Sequence, residues 1–273
     1  MIKFPNAKIN LGLDIVERRP DGYPNIETVF YPSPLKDIVE CVPGTHSTTI
    51  LTTSGNPVDC PMEKNLVYKA YMLLQEKYSL PPVDIFLHKA IPDGAGLGGG
   101  SSDASFTLMA LNEMFALGLS SDELCEIASK IGADCPFFIH NKPVMATGIG
   151  NIFSPVSVSL SGKHLLLVKP DVYVSTKEAY SMVSPRVPEI HIPEILKMPI
   201  GEWRKFLKND FEESVFALRP MLAAIKSRLY DCGAVYASMS GSGSSIFGIF
   251  DNDKLAESCL KELNLPKSWL FSL

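Results

Sequence analysis

Ala7, Ile9, Leu11, Leu13 and Ile15 alternate with Lys8, Asn10, Gly12 and Asp14, the period-two pattern of a strand with one buried face. The alternation predicts a half-buried strand over residues 7–15, with Lys8 and Asn10 on the face away from the core. Two residues of rise separate them by about 7 Å, close enough for both to touch one bound group. A second strand is predicted over residues 83–91, and a glycine-rich run, 92–103, follows it directly. After the run, Phe106, Met109, Ala110 and Leu117 recur at helical spacing, with Ser101, Ser102 and Asp103 as cap residues and Gly118 as the stop. Ser120 and Glu123 form a capping box for another helix carrying Leu124, Ile127, Ala128 and Ile131. Gly132 ends that helix, and the tight corner 132–136 leads into Phe137, Phe138 and Ile139.

The pattern weakens into Ser, Pro and Gly over residues 150–162, and a domain boundary is expected there, dividing the chain into 1–155 and 156–273. Beyond it the order of elements changes. A strand at 165–169 precedes a helix opened by Ser175 and Glu178, and helices over 211–230 are interrupted at Pro220. Strands at 234–239 and 245–250 flank a turn at 240–244; a helix at 253–263 and a strand near 269–272 close the chain. Without the inserted helices the order is β-α-β-β-α-β, the ferredoxin-like arrangement. The expected class is α+β, an N-terminal α/β domain followed by a C-terminal ferredoxin-like one.

With 273 residues, 46% hydrophobic and 20% charged, the chain has ample core-forming material, which excludes disorder. A net charge of −5 and the lack of a basic stripe argue against nucleic acid as a partner. No apolar run approaches the ~20 residues that span a bilayer, so no membrane partner is expected. The first residues show no secretory pattern. Six scattered cysteines without a Cys-x-x-Cys pair oppose a zinc site or a disulfide framework and fit a reducing cytoplasm.

The glycine run lies between a strand and a helix N-terminus, where backbone N–H groups without intrahelical partners and the helix dipole favour an anion. Glycines let the backbone approach phosphate oxygens closely, and serines can reach a phosphate or its Mg²⁺. A Walker A loop needs Lys after its last glycine, but Ser101 stands there. Gly94-x-Gly96-x-x-Gly99 matches the dinucleotide pattern. The acid that should end the following strand is missing, since Glu123 and Glu126 fall in a predicted helix.

Pro92-(x)3-Gly96-Leu97-Gly98-Gly99-Gly100-Ser101-Ser102-Asp103-Ala104 resembles the signature loop of the GHMP kinases, which covers the ATP phosphates. Residues 7–11, Ala-Lys-Ile-Asn-Leu, resemble the family's N-terminal strand motif, and residues 240–244, Ser-Gly-Ser-Gly-Ser, its C-terminal glycine loop. Three further details resemble those members that act on a cytidine-diphosphate-linked sugar alcohol: Asp21-Gly22-Tyr23, the triple glycine ending Ser-Ser-Asp, and the run 132–138. The resemblance implies a two-domain fold with ATP and substrate in the cleft between domains. It implies transfer of the ATP γ-phosphoryl group to the 2-hydroxyl of that small-molecule substrate, in the non-mevalonate isoprenoid route, by a monomer or weak homodimer. Alternatives are a GHMP kinase of homoserine or mevalonate type, or a nucleotide-binding sensor without turnover.

The resemblance also assigns roles. Asp134 is the expected base, with Lys8 beside it to hold it ionised and polarise the hydroxyl. Asn10 is expected to hydrogen-bond the substrate. Gly96, Gly98, Gly99, Gly100, Ser101 and Ser102 would contact phosphates, with Pro92, Gly94 and Leu97 completing the loop, and Ser102 or Asp103 would place Mg²⁺. Asn65 and Leu66 match positions that border adenine. Tyr23 and Tyr180 are the candidate stacking surfaces for the pyrimidine, and Lys169, Thr176 and Gly241 are further substrate candidates. Pro24 stands where the family commonly has His, and Asn6 where the strand motif usually has Pro.

Overall fold

The computed structural model describes residues 1–19, 24–181 and 183–273. They form two compact units, one of Met1–Lys8, Leu35–Asp93 and Gly98–Lys142, the other of Ile9–Pro34, Gly94–Leu97 and Pro143–Leu273. The units are interleaved along the chain, whereas the boundary expected near residue 155 is a single cut. The reason is local: the 13-residue strands Asn6–Arg18 and Pro24–Lys36 are long enough to serve both units in turn.

In the first unit a sheet runs in the order Ile2–Lys3, Ile38–Pro43, Val83–Lys89, Ile50–Gly55, antiparallel except for the last pair. Val83, Ile85 and Leu87 are buried while Phe86 and His88 face out, as period two requires. The buried face joins Val39 and Cys41 to Val67 and Leu74 of the helix Leu66–Tyr78 and to Leu108 and Leu111 of the helix Gly99–Met114. The capping box on Ser120 is present: Ser120 Oγ accepts from the Glu123 N–H, and Glu123 Oε2 accepts from the Ser120 N–H at 2.9 Å. The helix after the glycine run begins at Gly99, earlier than expected, because Gly98 in the left-handed region forms its N-cap. It ends at Met114, ahead of Gly118.

The second unit holds an antiparallel sheet in the order Tyr236–Met239, Ile246–Phe250, His164–Val168, Ser268–Ser272. Numbered along the chain, that is 2-3-1-4, the ferredoxin-like order the element pattern implied. Leu222, Ile225 and Leu229 of the helix Pro220–Asp231 and Ala256 and Cys259 of the helix Asp253–Leu263 pack on Leu166, Val168, Ile246 and Phe250. A further sheet runs in the order Asn6–Arg18, Pro24–Lys36, Val144–Thr147, Ile152–Pro155.

One expectation changes in a way that matters for function. The strand Asn6–Arg18 is not half-buried, since every residue from Asn6 to Leu13 is buried, Lys8 and Asn10 included. The polar face is therefore covered and its side chains are answered by protein groups.

Further along this strand Asp14 lies among Asp210, Glu27, Arg186 and His191. Burial, then the Asp210 and Glu27 carboxylates, push the Asp14 carboxyl up to about 7 against the pull of Arg186 and His191. Asp210 is fixed beside it, accepting from the Ile15 N–H at 2.8 Å and from Arg186 at 3.2 Å. A raised folded-state pKa means that between about 4 and about 7 the folded chain holds a proton the unfolded chain has lost, so stability falls as pH rises through that window. Asp14→Asn should raise the urea midpoint above wild type at pH 8 and leave it unchanged at pH 4. After discounting for partial exposure, the gain at pH 8 is about 1 to 2 kcal/mol; equal midpoint differences at the two pH values would show that Asp14 does not carry the proton.

Candidate active site

Lys8 enters the first unit from the start of the strand Asn6–Arg18, with Nζ 3.9 Å from Asp134 Oδ2. Its side chain is 6% exposed and that of Asp134 32%, so the carboxylate reaches solvent and the ammonium does not. Burial pulls the Lys8 ammonium below the usual lysine range, and the Asp134 carboxylate opposes that pull. Asp134 stands at the N-cap of the helix Cys135–His140, yet its side chain makes no capping hydrogen bond. The turn before it closes with the Cys135 N–H on the Gly132 carbonyl at 3.2 Å. The helix is tied to its neighbour by Ser105 Oγ, which donates to the Cys135 carbonyl at 2.7 Å. Asp134 is thus placed by backbone and by Ser105, and its carboxylate faces Lys8 instead of capping the helix.

The end of the glycine run meets this pair. A Cβ at Gly98 would stand 2.9 Å from Phe138 Cζ and 3.2 Å from Lys8 Cγ, at a φ of +69°. Sterics and backbone both require glycine there. Past Gly98, the first N–H groups of the helix Gly99–Met114 have no preceding carbonyl to bond, and its dipole favours an anion. Ser102 Oγ and Asp103 Oδ1 are buried without a hydrogen-bond partner among the described residues. An orphaned buried polar group costs about 1 to 3 kcal/mol, so these two atoms fit a bound cation or phosphate that would satisfy them. Asp103 Oδ2 accepts from Lys89 Nζ at 2.6 Å.

In the second unit, residues 94–97 rest on the C-terminal glycine loop. Ser240 Oγ donates to the Gly96 carbonyl at 2.8 Å, and the Ser245 N–H donates to the Ala95 carbonyl at 3.2 Å. A Cβ at Gly96 would stand 2.0 Å from the Ser240 carbonyl oxygen. The Asn10 N–H donates to Ser240 Oγ at 3.3 Å, and Asn10 Nδ2 donates to Thr28 Oγ1 at 2.9 Å. Gly241 has a φ of +56°, and a Cβ there would lie 3.4 Å from Asn10 Oδ1. Asn209 Nδ2 donates to the Met239 and Gly241 carbonyls at 2.8 and 2.9 Å, fixing the loop from beneath. Asn10, Gly241, Ser240 and Gly96 thus belong to one cluster.

The remaining candidates are placed more variously. Asn65 Oδ1 accepts from the Val67 N–H at 2.9 Å, an N-cap for the helix Leu66–Tyr78. A Cβ at Gly100 would lie 3.6 Å from Leu66 Cδ1, so Leu66 borders the glycine run. Pro92 and Leu97 are buried, and a Cβ at Gly94 would meet the Tyr173 ring at 2.9 Å. Ser101 is half-buried beside Cys135. Lys169 Nζ donates to the Pro170 and Val172 carbonyls at 2.7 and 3.0 Å, and burial lowers its pKa. Tyr180 stacks edge-on against Phe211 with ring centres 4.7 Å apart. Thr176 opens the helix Thr176–Ser181, and Pro24 opens the strand Pro24–Lys36. Tyr23 lies outside the described residues. Sequence reasoning missed Asn209, Asp37 and Lys89, the packing of Phe138 beside Gly98, the supporting role of Ser240, and the pairing of Asp103 with Lys89.

The fold and these clusters define a class of protein, a phosphotransferase whose glycine loop opens a helix. The GHMP kinases N terminal domain matches residues 65–142, and the GHMP kinases C terminal domain matches residues 192–266. The chain belongs to the GHMP kinases. It is 58% identical over 92% of its length to a Parabacteroides distasonis protein named 4-diphosphocytidyl-2-C-methyl-D-erythritol kinase, of which 92% is covered. A Cytophaga hutchinsonii protein of the same name is 50% identical, over 96% of this chain and 100% of that one. A crystal structure of 4-(cytidine 5'-diphospho)-2C-methyl-D-erythritol kinase superposes with a TM-score of 0.85 at 32% identity, covering 99% of this chain and 98% of that one. A mevalonate kinase structure, with a TM-score of 0.74 at 16% identity over 99% and 98%, shares the fold.

The glycines of the run differ in what forbids a side chain. Gly96→Ala should destabilise the protein by more than about 1 kcal/mol, because a Cβ collides with a carbonyl oxygen at a positive φ. Gly100→Ala should not destabilise the protein and should stabilise it by up to about 1 kcal/mol. Urea unfolding of the two variants decides it, and equal losses would mean that the Ser240 carbonyl does not set the shape of the loop.

Proposed function

We propose that this chain transfers the γ-phosphoryl group of ATP to the 2-hydroxyl of 4-diphosphocytidyl-2-C-methyl-D-erythritol, giving the 2-phosphate and ADP. The observation that carries the reading is the convergence of the buried Lys8, the solvent-reaching Asp134 and Gly98 of the glycine run. Relatives at 50% identity and above that are named for this substrate support it over a homoserine- or mevalonate-type activity. The Lys8 and Asp134 pair also opposes a sensor without turnover.

Phosphoryl transfer is mostly alignment and charge neutralisation, with a group to take the hydroxyl proton. In our reading the N–H groups of the first turn of the helix Gly99–Met114 bind the phosphates. Asp134 accepts the proton from the 2-hydroxyl. Lys8 lies against the transferring group, where its charge is unscreened by water and opposes the negative charge that builds as the oxygen attacks. Ser102, with Asp103 Oδ1, would hold Mg²⁺, which when bound supplies further neutralisation of the phosphate charge. Asn10 would orient the alcohol, with Gly241 giving room beside it. Leu66 and Asn65 would border the adenine, while Tyr23, Tyr180, Lys169 and Thr176 would surround the cytidine. The enzyme would be cytoplasmic; among the described residues no helix is long and apolar enough to cross a membrane.

Asp134→Asn should lower kcat by ~10² to 10⁴ while ATP affinity and Tm hold, because only the proton acceptor is lost. Steady-state kinetics with calorimetric ADP binding check this, and near-normal turnover in the folded variant would remove Asp134 from the mechanism. Pro24 gives a second expectation. It has no N–H and no ring nitrogen to read the cytosine edge, so base discrimination falls to backbone groups. The uridine-diphosphate analogue should be used with a penalty of about 1 to 3 kcal/mol in kcat/KM, and a cytidine preference of 10⁴-fold or more would show that the backbone reads the base unaided.

A further inference from the structure

Asp37, Lys89 and Asp103 form a buried acid–base–acid group, of which the proposed chemistry uses only the free Oδ1 of Asp103. Their side chains are 0%, 6% and 2% exposed. Lys89 ends the strand Val83–Lys89, where the glycine run departs, and Asp103 lies in the first turn of the helix Gly99–Met114, where the run returns. Lys89 Nζ donates to Oδ2 of Asp37 and, at 2.6 Å, to Oδ2 of Asp103. Asp37 Oδ1 in turn accepts from the N–H groups of Ala90 and Ile91 at 2.6 and 2.7 Å. Those two residues are the last before Pro92. A Cβ at Gly99 would meet Ile91 Cγ2 at 2.9 Å and Lys89 Nζ at 3.2 Å, so the helix start is seated directly on this group. The Lys89 ammonium therefore bonds the far end of the run directly through Asp103, 14 residues on, and holds the near end through Asp37.

Such an arrangement is an inefficient way to gain stability. One ammonium and two carboxyl groups lose their hydration, and apolar side chains of similar volume commonly serve as well. What the ions supply is direction, because each carboxylate oxygen and each N–H fixes a distance that packing alone leaves soft. We propose that Lys89, with Asp37 and Asp103, is a positioning group that holds the two ends of the phosphate loop at a fixed separation before nucleotide arrives. The proposal rests on the reading of residues 94–102 as the ATP-phosphate loop. A loop set in advance loses little conformational entropy on binding, so the group acts on nucleotide affinity and leaves the alcohol site alone.

Two measurements test it. In the wild-type protein without nucleotide, the amides of Ala90 and Ile91 should exchange slowly with solvent, and adding ADP with Mg²⁺ should not slow them further. Fast exchange that becomes slow only with ADP would overturn the proposal, since the loop ends would then be set by the ligand. Next, Lys89→Met combined with Asp37→Leu removes the ammonium and its other partner while keeping volume. This variant should show a KM for ATP raised at least tenfold, with the KM for the alcohol within twofold of wild type. Asp37→Asn with Lys89 intact, which retains an acceptor for Lys89, should keep the KM for ATP within threefold of wild type. A folded double variant with the wild-type KM for ATP, or one in which both KM values rise together, overturns the assignment. If the double variant does not fold, the exchange measurement decides. Absence of ADP binding by the wild-type protein would refute the nucleotide reading itself, and the exchange rates of Ala90 and Ile91 without ligand would still separate the two failures.

Discussion

A lysine ammonium taken out of water must be met by negative charge, and the first unit meets this demand twice with opposite results. Lys89 is held by two carboxylates, and although burial lowers its pKa, Asp103 and Asp37 together outweigh it and the ammonium titrates above the usual range. The surplus acid shows on the other side. Burial, against the pull of Lys89 and helped by Asp37, pushes the Asp103 carboxyl up to about 8. Lys8 faces Asp134 at 3.9 Å, and there burial wins. A lysine on which burial outweighs its carboxylate gains from an added anion. In the proposed reading the two lysines divide the work, Lys89 holding the fold and Lys8 facing the transferring phosphate.

Much of this was legible in the chain. The alternation around Lys8 and Asn10, the capping box at Ser120, and the element order that yields the 2-3-1-4 sheet all come from local pattern, and local pattern is what a sequence displays. The strand Pro24–Lys36 was not read because Pro32 and Pro34 interrupt its pattern, and proline inside a run argues against a strand. Burial of the Lys8 and Asn10 face was missed for a different reason. Alternation reports which residues are apolar, and a polar face covered by polar partners such as Thr28 and Ser240 looks the same as one facing water. Asp37 stands 52 residues from Lys89, and no spacing rule connects them. Asn65, expected from the resemblance as an adenine neighbour, caps the helix Leu66–Tyr78 in the fold, accepting from the Val67 N–H.

The C-terminal glycine loop clarifies how one short run can be shaped by two cores. Residues 94–97 belong to the second unit and residues 98–142 to the first. In the second, the Gly96 and Ala95 carbonyls are bonded by Ser240 and Ser245. In the first, Gly98 and Gly99 are held against Phe138 and Lys8, and against Ile91 and Lys89. The loop has no hydrophobic core of its own, and its conformation is imposed from outside at nearly every residue. Flexible residues can be rigid when each neighbour removes one degree of freedom.

That reasoning singles out Gly100. At Gly96 a side chain would strike a carbonyl oxygen, at Gly98 an aromatic ring and a lysine stem, and at Gly99 an isoleucine methyl. At Gly100 the nearest atom lies 3.6 Å away, an ordinary contact, and φ is not positive. The residue is exposed and sits in the first turn of a helix, where alanine is the better helix former by about 1 kcal/mol. Neither packing nor backbone geometry within the protein accounts for a glycine in that place. The proposed function supplies the reason: an anion approaching the open N–H groups of the turn would meet a methyl group placed between the backbone and the phosphate oxygens.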